Sequence, residues 1–282
     1  MSEQVTVAIP VYNGMPHVKA ALYSVLNQTY KQLDIVVIDN ASDDGTDAFV
    51  KDIDDPRLTL LRNPTNIGLE GNWNKALEQS RRSPFFKLFC ADDLLFPNAI
   101  ATEVAALQAY PSAVMTACRR RIIDDEGRTV IGSRGLPRMR GLIEGHDAIR
   151  RSVMWGTNVI GEPSAVLLRS GALKDIGSFD GTYQYLIDFN MWARVLKRGA
   201  LYAIPDSLAA FRVGASSNSG TIAKQQLDHQ VKELRRLADD PDSGVDTRLM
   251  VLGIAASVGV TATRRTFYRL LNIRAGAMEK RQ

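Results

Sequence analysis

Cysteine is scarce in this sequence. Its 282 residues include only two cysteines, Cys90 and Cys118. Both lie in apolar, strand-like stretches, which predicts packed and reduced thiols and excludes a small scaffold held together by several disulfides. We therefore expect a cytoplasmic protein.

No apolar run in the sequence is long enough to cross a membrane. A spanning helix needs about 20 apolar residues, whereas the longest candidate run, residues 249–263, is bounded by Arg248 and Arg264. The apolar run at residues 5–9 is too short for a signal peptide and is followed at once by Pro10. We expect neither a membrane-spanning segment nor a secretion signal.

A strong charge of one sign is also missing. The net charge is only +4, and much of the basic excess lies close to the C-terminus, at Arg264, Arg265, Arg269, Arg274, Lys280 and Arg281. This pattern favours a local surface preference and does not indicate a nucleic-acid-binding protein. Hydrophobic residues make up 45% of the chain, which is ordinary for a globular protein with a core.

The first hundred residues alternate between β-branched runs and segments of helical periodicity. The runs predict four strands, which end at Pro10, Asp39, Arg62 and Cys90. Strand and helix alternating four times indicate right-handed crossovers. The sequence therefore predicts an α/β fold, with a mixed sheet that has a parallel core and helices on both faces.

The rest of the chain predicts further elements before its character changes. We expect a helix over 98–110, a hairpin turn at 124–127, a mobile glycine-rich loop at 132–145, a helix over 186–198, and strands at 113–118, 164–168, 201–204 and 208–213. From Ile222 onward charged helical segments predominate, so we place a boundary near residue 215. Residues 246–275 are expected to form one or two amphipathic helices.

Two adjacent acids, Asp92 and Asp93, follow the apolar strand that ends at Cys90. Ligands of open α/β sheets bind at the carboxyl edge where such a strand ends. Neighbouring carboxylates repel unless a cation lies near them, and carboxylate oxygens suit Mg²⁺ or Mn²⁺. Taken alone, however, such a pair is more often a solvated turn or a helix cap.

Six segments together resemble the family 2 glycosyltransferases of the GT-A fold. They follow the family's order and cover about residues 5–215: Ile9–Gly14, Ser24–Tyr30, Val37–Thr46, Asn66–Gly68, Ala91–Asp93 and Ile187–Trp192. The resemblance implies a catalytic domain at 1–215 with a C-terminal helical extension at 216–282. It also implies an enzyme that transfers a sugar from a nucleotide-diphospho-sugar to an acceptor hydroxyl with the help of Mn²⁺ or Mg²⁺. A UDP-sugar is the first expectation, with dTDP- and GDP-sugars as alternatives.

The resemblance also assigns roles to residues of the donor site. It implies that Asp93 binds the metal, that Asp92 lies by the ribose and shares the metal, and that Asp39 binds the nucleobase. The remaining donor-binding candidates are Pro10, Tyr12, Asn13, Asn66 and Gly68. Two of these roles have plain alternatives, because Asp39 could cap the helix that begins near Thr46, and Tyr12 could belong to an ordinary turn.

Asp188 is the implied general base. A carboxylate aimed at an acceptor hydroxyl takes its proton as it attacks, and direct displacement of this kind inverts the anomeric carbon. Without the family pattern, Asp188 would be interpreted as a solvated acid on a helix.

The sequence departs from the family pattern at three positions. Cys90 stands where the family often has Asp, Ile187 replaces the Glu of the usual Glu-Asp pair, and Gly214 stands where a metal-binding His often occurs. Either the diphosphate and water complete the metal's coordination, or the metal is held more weakly. None of the three histidines lies in that last motif, so we interpret them as surface or packing residues: His17, His146 and His229.

Several interpretations of function stay open. The chain lacks the Gln-x-x-Arg-Trp signature of processive synthases, which favours a non-processive enzyme of cell-surface polysaccharide or glycolipid synthesis. Its loops at 132–145 and 156–163 are expected to select a saccharide or lipid-linked acceptor. The basic C-terminal helices could rest on an anionic bilayer at the inner face of the membrane, cap the catalytic domain, or form a homodimer contact.

Two alternatives to an active glycosyltransferase stay open. A nucleotidyltransferase would need a basic glycine-rich loop after the first strand, but no Lys or Arg occurs there before Lys19. A non-catalytic nucleotide-sugar-binding subunit would fit the three departures from the family pattern, and it would bind the donor without turning it over.

Overall fold

The structure is a computed structural model that describes residues 3–214 and 226–279, with side chains of the last helix described as far as Arg264. The predicted boundary near residue 215 lies outside the described residues. No described helix combines the length and the apolar character that crossing a membrane requires.

Strands and helices alternate through the first part of the chain, as predicted. They are β1 (Val5–Val11), α1 (His17–Leu26), β2 (Leu33–Asp39), α2 (Thr46–Lys51), β3 (Leu58–Arg62), α3 (Gly68–Glu78), β4 (Phe85–Leu88), β5 (Leu94–Leu95) and α4 (Ala99–Ala109). The later elements are β6 (Ala113–Ile123), β7 (Thr129–Arg134), β8 (Gly141–Ile143), α5 (Gly145–Met154), β9 (Val166–Arg169), α6 (Ile187–Leu196), β10 (Ala200–Arg212), α7 (Gln226–Asp239) and α8 (Thr247–Glu279).

All ten of these strands belong to one mixed sheet. Its order is β3-β2-β1-β4-β9-β6-β10-β5, with β7 beside β6 and β8 beside β10. The first four strands pair in parallel, and so do β6 and β10. Strand β9 runs antiparallel to both neighbours, so its first residue, Val166, lies at the edge where β4 ends and pairs with Ala117 of β6. The predicted mixed sheet with a parallel core is confirmed.

The sheet is buried on both faces. Successive side chains of a strand point to opposite faces, and in the central strands β1 and β4 both sets are buried. Phe85 packs among residues of α1 and α4, whereas Phe86 packs on the other face among residues of α5, α6 and α7. Leu234 and Leu237 of α7 belong to that second core layer. The C-terminal extension is therefore helical, as predicted, and it shares the core of the sheet.

Four predicted boundaries or elements were wrong. β1 continues to Val11, and β4 ends at Leu88 before Cys90. The segment 132–145 is not a free loop, because pairing with β6 and β10 gives its backbone hydrogen bonds in β7 and β8. The strands predicted at 201–204 and 208–213 are one strand, β10, in which the register shifts around Pro205, a residue without a backbone N–H.

Candidate active site

The loops after β1 and β2 interlock at the carboxyl edge of the sheet. Asn13, in a left-handed conformation with φ of 48°, donates from its N–H to Ser42 Oγ at 2.9 Å and accepts from Asp43 N at 3.0 Å through Oδ1. Gly14 N donates to Thr46 Oγ1 at 3.0 Å. Asn13, whose side chain is predicted to bind the donor, therefore also joins these two loops.

Pro10 and Tyr12 differ in solvent exposure. Pro10 is buried within β1 and pairs with Ile38, whereas the Tyr12 side chain is 51% exposed. Of these two predicted pocket residues, only Tyr12 presents a side chain to solvent or to a ligand.

Asp39 is a fully buried carboxylate, and one of its two oxygens accepts no hydrogen bond. Its Oδ1 accepts from Ser42 N at 3.2 Å. Its Oδ2 lies 3.4 Å from Arg62 Nε but makes no hydrogen bond. Buried polar atoms are rarely unsatisfied, so this oxygen suits a donor group on a ligand. Asp39 does not cap α2, because Asp44 Oδ1 accepts from Thr46 N instead.

A network of asparagines that was not predicted supports the loop after β3; Asn40 and Asn63 are buried, whereas Asn66 is exposed. Asn40 Nδ2 donates to Asn66 Oδ1 at 2.7 Å, and Asn40 Oδ1 accepts from Asn63 Nδ2 at 2.9 Å. Asn66 Oδ1 also accepts from Gly68 N at 2.8 Å. The predicted ligand residues Asn66 and Gly68 are therefore part of a hydrogen-bonded loop. The available signal was the recurrence of four asparagines between residues 40 and 72.

Asp93 is fully buried, and the protein binds both of its carboxylate oxygens. Ser164 Oγ donates to Oδ2 at 2.5 Å, and Arg212 N donates to Oδ1 at 3.0 Å. Burial and the neighbouring Asp92 raise the pKa of Asp93 well above its usual range. Asp92 is half-buried, and it binds Arg212 Nε through its backbone oxygen at 2.9 Å, which leaves its carboxylate more open.

Ligand atoms of Cys90, Asp92 and Asp93 lie within 4.8 Å of one another. Burial, with the two carboxylates, raises the pKa of the Cys90 thiol well above its usual value, so the thiol stays protonated and is a poor ligand for a hard cation. The oxygen donors of the two aspartates fit Mg²⁺ or Mn²⁺. Asp92 has the more accessible carboxylate of the pair.

A carboxylate occupies the space where the family pattern places a histidine. A Cβ atom at Gly214 would lie 1.9 Å from Asp125 Oδ1. Arg212 Nη1 fixes the turn that carries Asp125 by donating to its backbone oxygen at 2.9 Å. His17 Nε2 lies 3.8 Å from Asp125 Oδ1. Asp125 and His17 both act electrostatically on Asp92, and the sequence analysis assigned neither to the site.

Asp188 lies in the first turn of α6 and is partly buried. Its Oδ2 accepts from Asn158 Nδ2 at 3.0 Å, and its Oδ1 accepts from Phe189 N at 2.6 Å. Burial, and next the negative charge of Glu162, raise the pKa of Asp188 to about 7. Ile187, which replaces the family's Glu, is buried in the core, so its side chain does not stand beside the Asp188 carboxylate as a second acid.

One segment, residues 158–164, connects Asp188 to Asp93. Asn158 at its start binds Asp188, and Ser164 at its end binds Asp93. Between them, Glu162 forms an ion pair with Arg120, which is only 2% exposed. This region was expected to select the acceptor as part of loop 156–163, but Asn158, Glu162 and Ser164 were not predicted, because their partners are distant in sequence.

Comparisons with known proteins identify the family. The model of glycosyl transferase family 2 matches residues 6–177. The chain belongs to glycosyl transferase family 2. It is a glycosyltransferase, and its α/β sheet has the GT-A-like arrangement of the solved structures that it resembles.

Relatives of this glycosyltransferase occur in several bacteria. An uncharacterized protein of Mycobacterium tuberculosis is 31% identical over 224 residues, which cover 76% of this chain and 69% of the relative. The UDP-Glc:α-D-GlcNAc-diphosphoundecaprenol β-1,3-glucosyltransferase WfgD of Escherichia coli is 30% identical over 103 residues, which cover 36% of this chain and 40% of WfgD.

Solved structures share the fold at low sequence identity. TarS 1–349 of S. aureus in complex with UDP-GlcNAc aligns with a TM-score of 0.66 at 16% identity, over 84% of this chain and 67% of TarS 1–349. The mannosyltransferase PcManGT of Pyrobaculum calidifontis, in complex with GDP-Man and Mn²⁺, aligns with a TM-score of 0.62 at 18% identity. That alignment covers 99% of this chain and 81% of PcManGT.

Proposed function

We propose that this glycosyltransferase is a non-processive, inverting enzyme that moves one sugar from a nucleotide-diphospho-sugar to an acceptor hydroxyl. The observation that carries the proposal is the arrangement around residues 158–164, which joins the partly buried carboxylate of Asp188 to the Asp92–Asp93 pair. A base at one end of this segment and a pair of carboxylates at the other suit a displacement between them.

The donor half of the site is formed by the loops after β1, β2 and β4. The unsatisfied Oδ2 of Asp39 would accept from an N–H of the nucleobase. Tyr12 and Pro10 would form the pocket floor, and Asp92 would bind the ribose. A UDP-sugar remains the first expectation, supported by the UDP-GlcNAc bound to TarS, while the GDP-Man bound to PcManGT supports the GDP-sugar alternative.

Asp92 and Asp93 are the residues that would hold Mn²⁺ or Mg²⁺. When bound, such an ion would supply positive charge that stabilises the departing nucleoside diphosphate. Asp92 is the better ligand on geometry, because the oxygens of Asp93 already accept from Ser164 and Arg212. The carboxylate of Asp125 is a further anion near Asp92, at the place of the missing histidine.

Asp188 would act as the general base. Its ionised carboxylate would take the proton of the acceptor hydroxyl as the oxygen attacks the anomeric carbon, and the bond from that carbon to the diphosphate would break on the opposite side. Asn158 would keep the carboxylate aimed by donating to Oδ2, while Oδ1 accepts from Phe189 N. The Asp188 carboxylate would remain protonated until the proton passes to water.

The alternative of a non-catalytic binding subunit was motivated by Cys90, Ile187 and Gly214. The burial of Ile187 weakens this alternative, because the substitution changes the core and leaves Asp188 in place. For the enzyme we propose a role in cell-surface polysaccharide or glycolipid synthesis, supported by the acceptor named for WfgD. We place it in the cytoplasm.

A donor screen tests the proposal. Thermal unfolding is measured with UDP-, GDP- and dTDP-sugars in the presence of Mn²⁺, since a ligand of the folded state raises its apparent stability. The stabilising donor is then assayed for hydrolysis and for transfer. We expect stabilisation by one nucleotide class and slow donor hydrolysis that depends on Asp188. Stabilisation without any turnover would instead support the binding subunit.

A further inference from the structure

A cavity opens at the edge of the sheet opposite to the candidate active site. Ser83 lies two residues before β4, and Ser170 directly follows β9, so both stand at the ends of these strands that are remote from Asp93. The cavity has a volume of about 420 Å³, within the usual range of small-molecule pockets. We call it the amino-edge cavity and define it by five of its lining residues: Ser80, Arg81, Ser83, Ser170 and Lys174.

Two serine hydroxyls of the amino-edge cavity lack a protein partner among residues 3–214 and 226–279. Ser170 Oγ is shielded from solvent and forms no hydrogen bond, and Ser80 Oγ forms none either. Ser83 differs, because its Oγ bonds to Thr6 Oγ1 at 2.8 Å. Buried polar groups are rarely left unsatisfied, and a hydroxyl can donate as well as accept. The Ser170 hydroxyl therefore suits a polar atom of a ligand.

Two cationic side chains border the same cavity. Arg81 and Lys174 are exposed, and within the described part of the chain neither side chain forms a hydrogen bond or an ion pair. Arg82, the next residue, is different, because its guanidinium binds both carboxylate oxygens of Asp34, at 2.5 and 3.0 Å. One acid, Asp175, also lines the cavity, so two cations stand against a single acid. This composition favours an anion.

Hydrogen bonds within the protein fix the walls of the cavity. Arg198 donates to Lys174 O, and it also donates to Asp175 O at 3.1 Å, so it holds the turn that carries both residues. Ser170 N donates to Pro84 O at 2.8 Å, which joins the segment before β4 to the segment after β9. A site that is already ordered loses little conformational entropy when a ligand binds.

We propose that the amino-edge cavity binds a small phosphomonoester that also carries hydroxyl groups. Its phosphate, with a charge of about −1.5 to −2 at pH 7, pairs with Arg81 and Lys174 and accepts from the hydroxyls of Ser80 and Ser170. Arginine and lysine are common phosphate-binding side chains. The volume leaves room for more than a phosphate ion, and Asp175 accepts from a hydroxyl of the ligand.

The site is independent of the proposed function, because none of its residues belongs to the candidate active site. Calorimetric titration of the full chain tests it, in EDTA to keep divalent cations from the candidate active site. The probes are glucose 6-phosphate, inorganic phosphate and glucose. We expect glucose 6-phosphate to bind about tenfold more tightly than phosphate, because it makes further contacts. Binding should weaken at high salt, which screens the charges, and glucose should not bind.

Matched variants identify the cations. The cavity double variant, Arg81→Gln with Lys174→Gln, is expected to bind glucose 6-phosphate about tenfold more weakly or worse, because charge-assisted hydrogen bonds are lost. The control is Arg150→Gln with Arg248→Gln, which removes the same charge from exposed arginines of α5 and α8 that do not line the cavity. Its affinity should equal that of the wild type. Thermal unfolding without ligand should be the same for both variants, since the substituted cavity side chains have no partner in the described residues.

Hydrogen exchange locates the bound ligand. With glucose 6-phosphate, amide exchange should slow in residues 79–86 and 169–176, which form the walls, since a ligand of the folded state suppresses local opening. The loops 11–14 and 158–164 of the candidate active site should exchange at an unchanged rate.

Four results would overturn the proposal. They are no binding of either phosphate compound, equal affinity of the cavity double variant and the wild type for glucose 6-phosphate, slower exchange at the loops of the candidate active site instead of the walls, and equally tight binding of inorganic phosphate and glucose 6-phosphate. The last result would identify a site for the free anion only.

Discussion

Asp188 and Asp93, the two acids that residues 158–164 connect, are held in different ways, and this difference determines how each should respond to substitution. Asp188 is partly buried beside Glu162, with a pKa raised to about 7. Asp93 is fully buried, with both oxygens bound by the protein. The first is suited to exchange a proton with an acceptor, whereas the second also holds three chain segments together.

We expect turnover to rise with pH and to reach half of its maximum near pH 7. A general base works only when ionised, and Asp188 is protonated below its pKa of about 7 and ionised above it. Glu162→Gln removes the nearby negative charge, so it should move this rise to lower pH. Initial rates of the wild type and of Glu162→Gln across a pH series provide the measurement. A rise of the variant's rate at higher pH than that of the wild type would contradict this role of Glu162.

Asp188→Asn is expected to reduce turnover by about 10²–10⁴, the usual contribution of a positioned general base. The amide keeps nearly the same volume, so donor and Mn²⁺ affinities should stay close to those of the wild type. The substitution would then remove stabilisation of the transition state and leave the binding of the ground state unchanged. Calorimetric titration and initial rates with a competent acceptor provide the measurements. Transfer at a wild-type rate would show that Asp188 is not the base.

Asp93→Ala should weaken Mn²⁺-dependent donor binding and also destabilise the fold. The change leaves Ser164 Oγ and Arg212 N without their buried acceptor, which costs about 1–3 kcal/mol for an unsatisfied group. Asp92→Ala is the matched variant, because its carboxylate is more open. It should weaken donor binding with little loss of stability. Thermal unfolding without ligand distinguishes the two, and equal unfolding temperatures would contradict this assignment.

At the scale of the elements, the position of α8 depends on a glycine. Gly156 has φ of +62°, and a Cβ atom there would lie 2.6 Å from Ala256 C in α8. Gly156→Ala should therefore destabilise the protein by about 2 kcal/mol or more, through backbone strain and displacement of α8. Hydrogen exchange should increase in residues 247–264.

Gly171→Ala is the control for this substitution. No heavy atom lies within 4 Å of a Cβ at Gly171, so the free energy of unfolding should change by no more than about 0.5 kcal/mol. If Gly156→Ala were equally harmless, the close packing of α8 on α5 would be wrong.

The elements also show how far the sequence could predict the site. Strand–helix alternation located β1 to β4 and the acids at their ends, because these features are local. The contacts of Asn158, Glu162 and Ser164 connect residues 30 to 71 positions apart in the chain, and their own sequence has no motif that indicates them. The strands β7 and β8 were missed for the same reason, since their pairing with β6 and β10 overrides a glycine-rich composition.

At the scale of the whole molecule, the division at residue 215 remains a prediction, but the described helices beyond it share the core. Leu234, Leu237 and Val245 belong to the same buried cluster as Trp192. A chain that ends at residue 215 should therefore unfold or aggregate, since removing each buried leucine contact costs about 2–5 kcal/mol of a total stability of about 5–15 kcal/mol.

A chain that ends at residue 264 is the matched control for that truncation. It keeps every one of these core contacts, so it should unfold cooperatively near the temperature of the full chain. Scanning calorimetry of both truncated chains provides the comparison. A stable chain of residues 1–215 would show that the extension is dispensable for folding.

The antiparallel course of β9 has a consequence for how this enzyme can diversify. Because β9 runs against β4 and β6, the segment that enters it, residues 158–164, reaches the same edge as the strand ends that carry the donor site. On the proposed function, the candidate nucleotide-binding residues lie before residue 95, and Asp188 with its partner Asn158 lies after it. Substitutions after residue 95 that spare Ser164 and Arg212, which hold Asp93, would therefore change the glycan that is extended while the candidate nucleotide-binding residues stay in place.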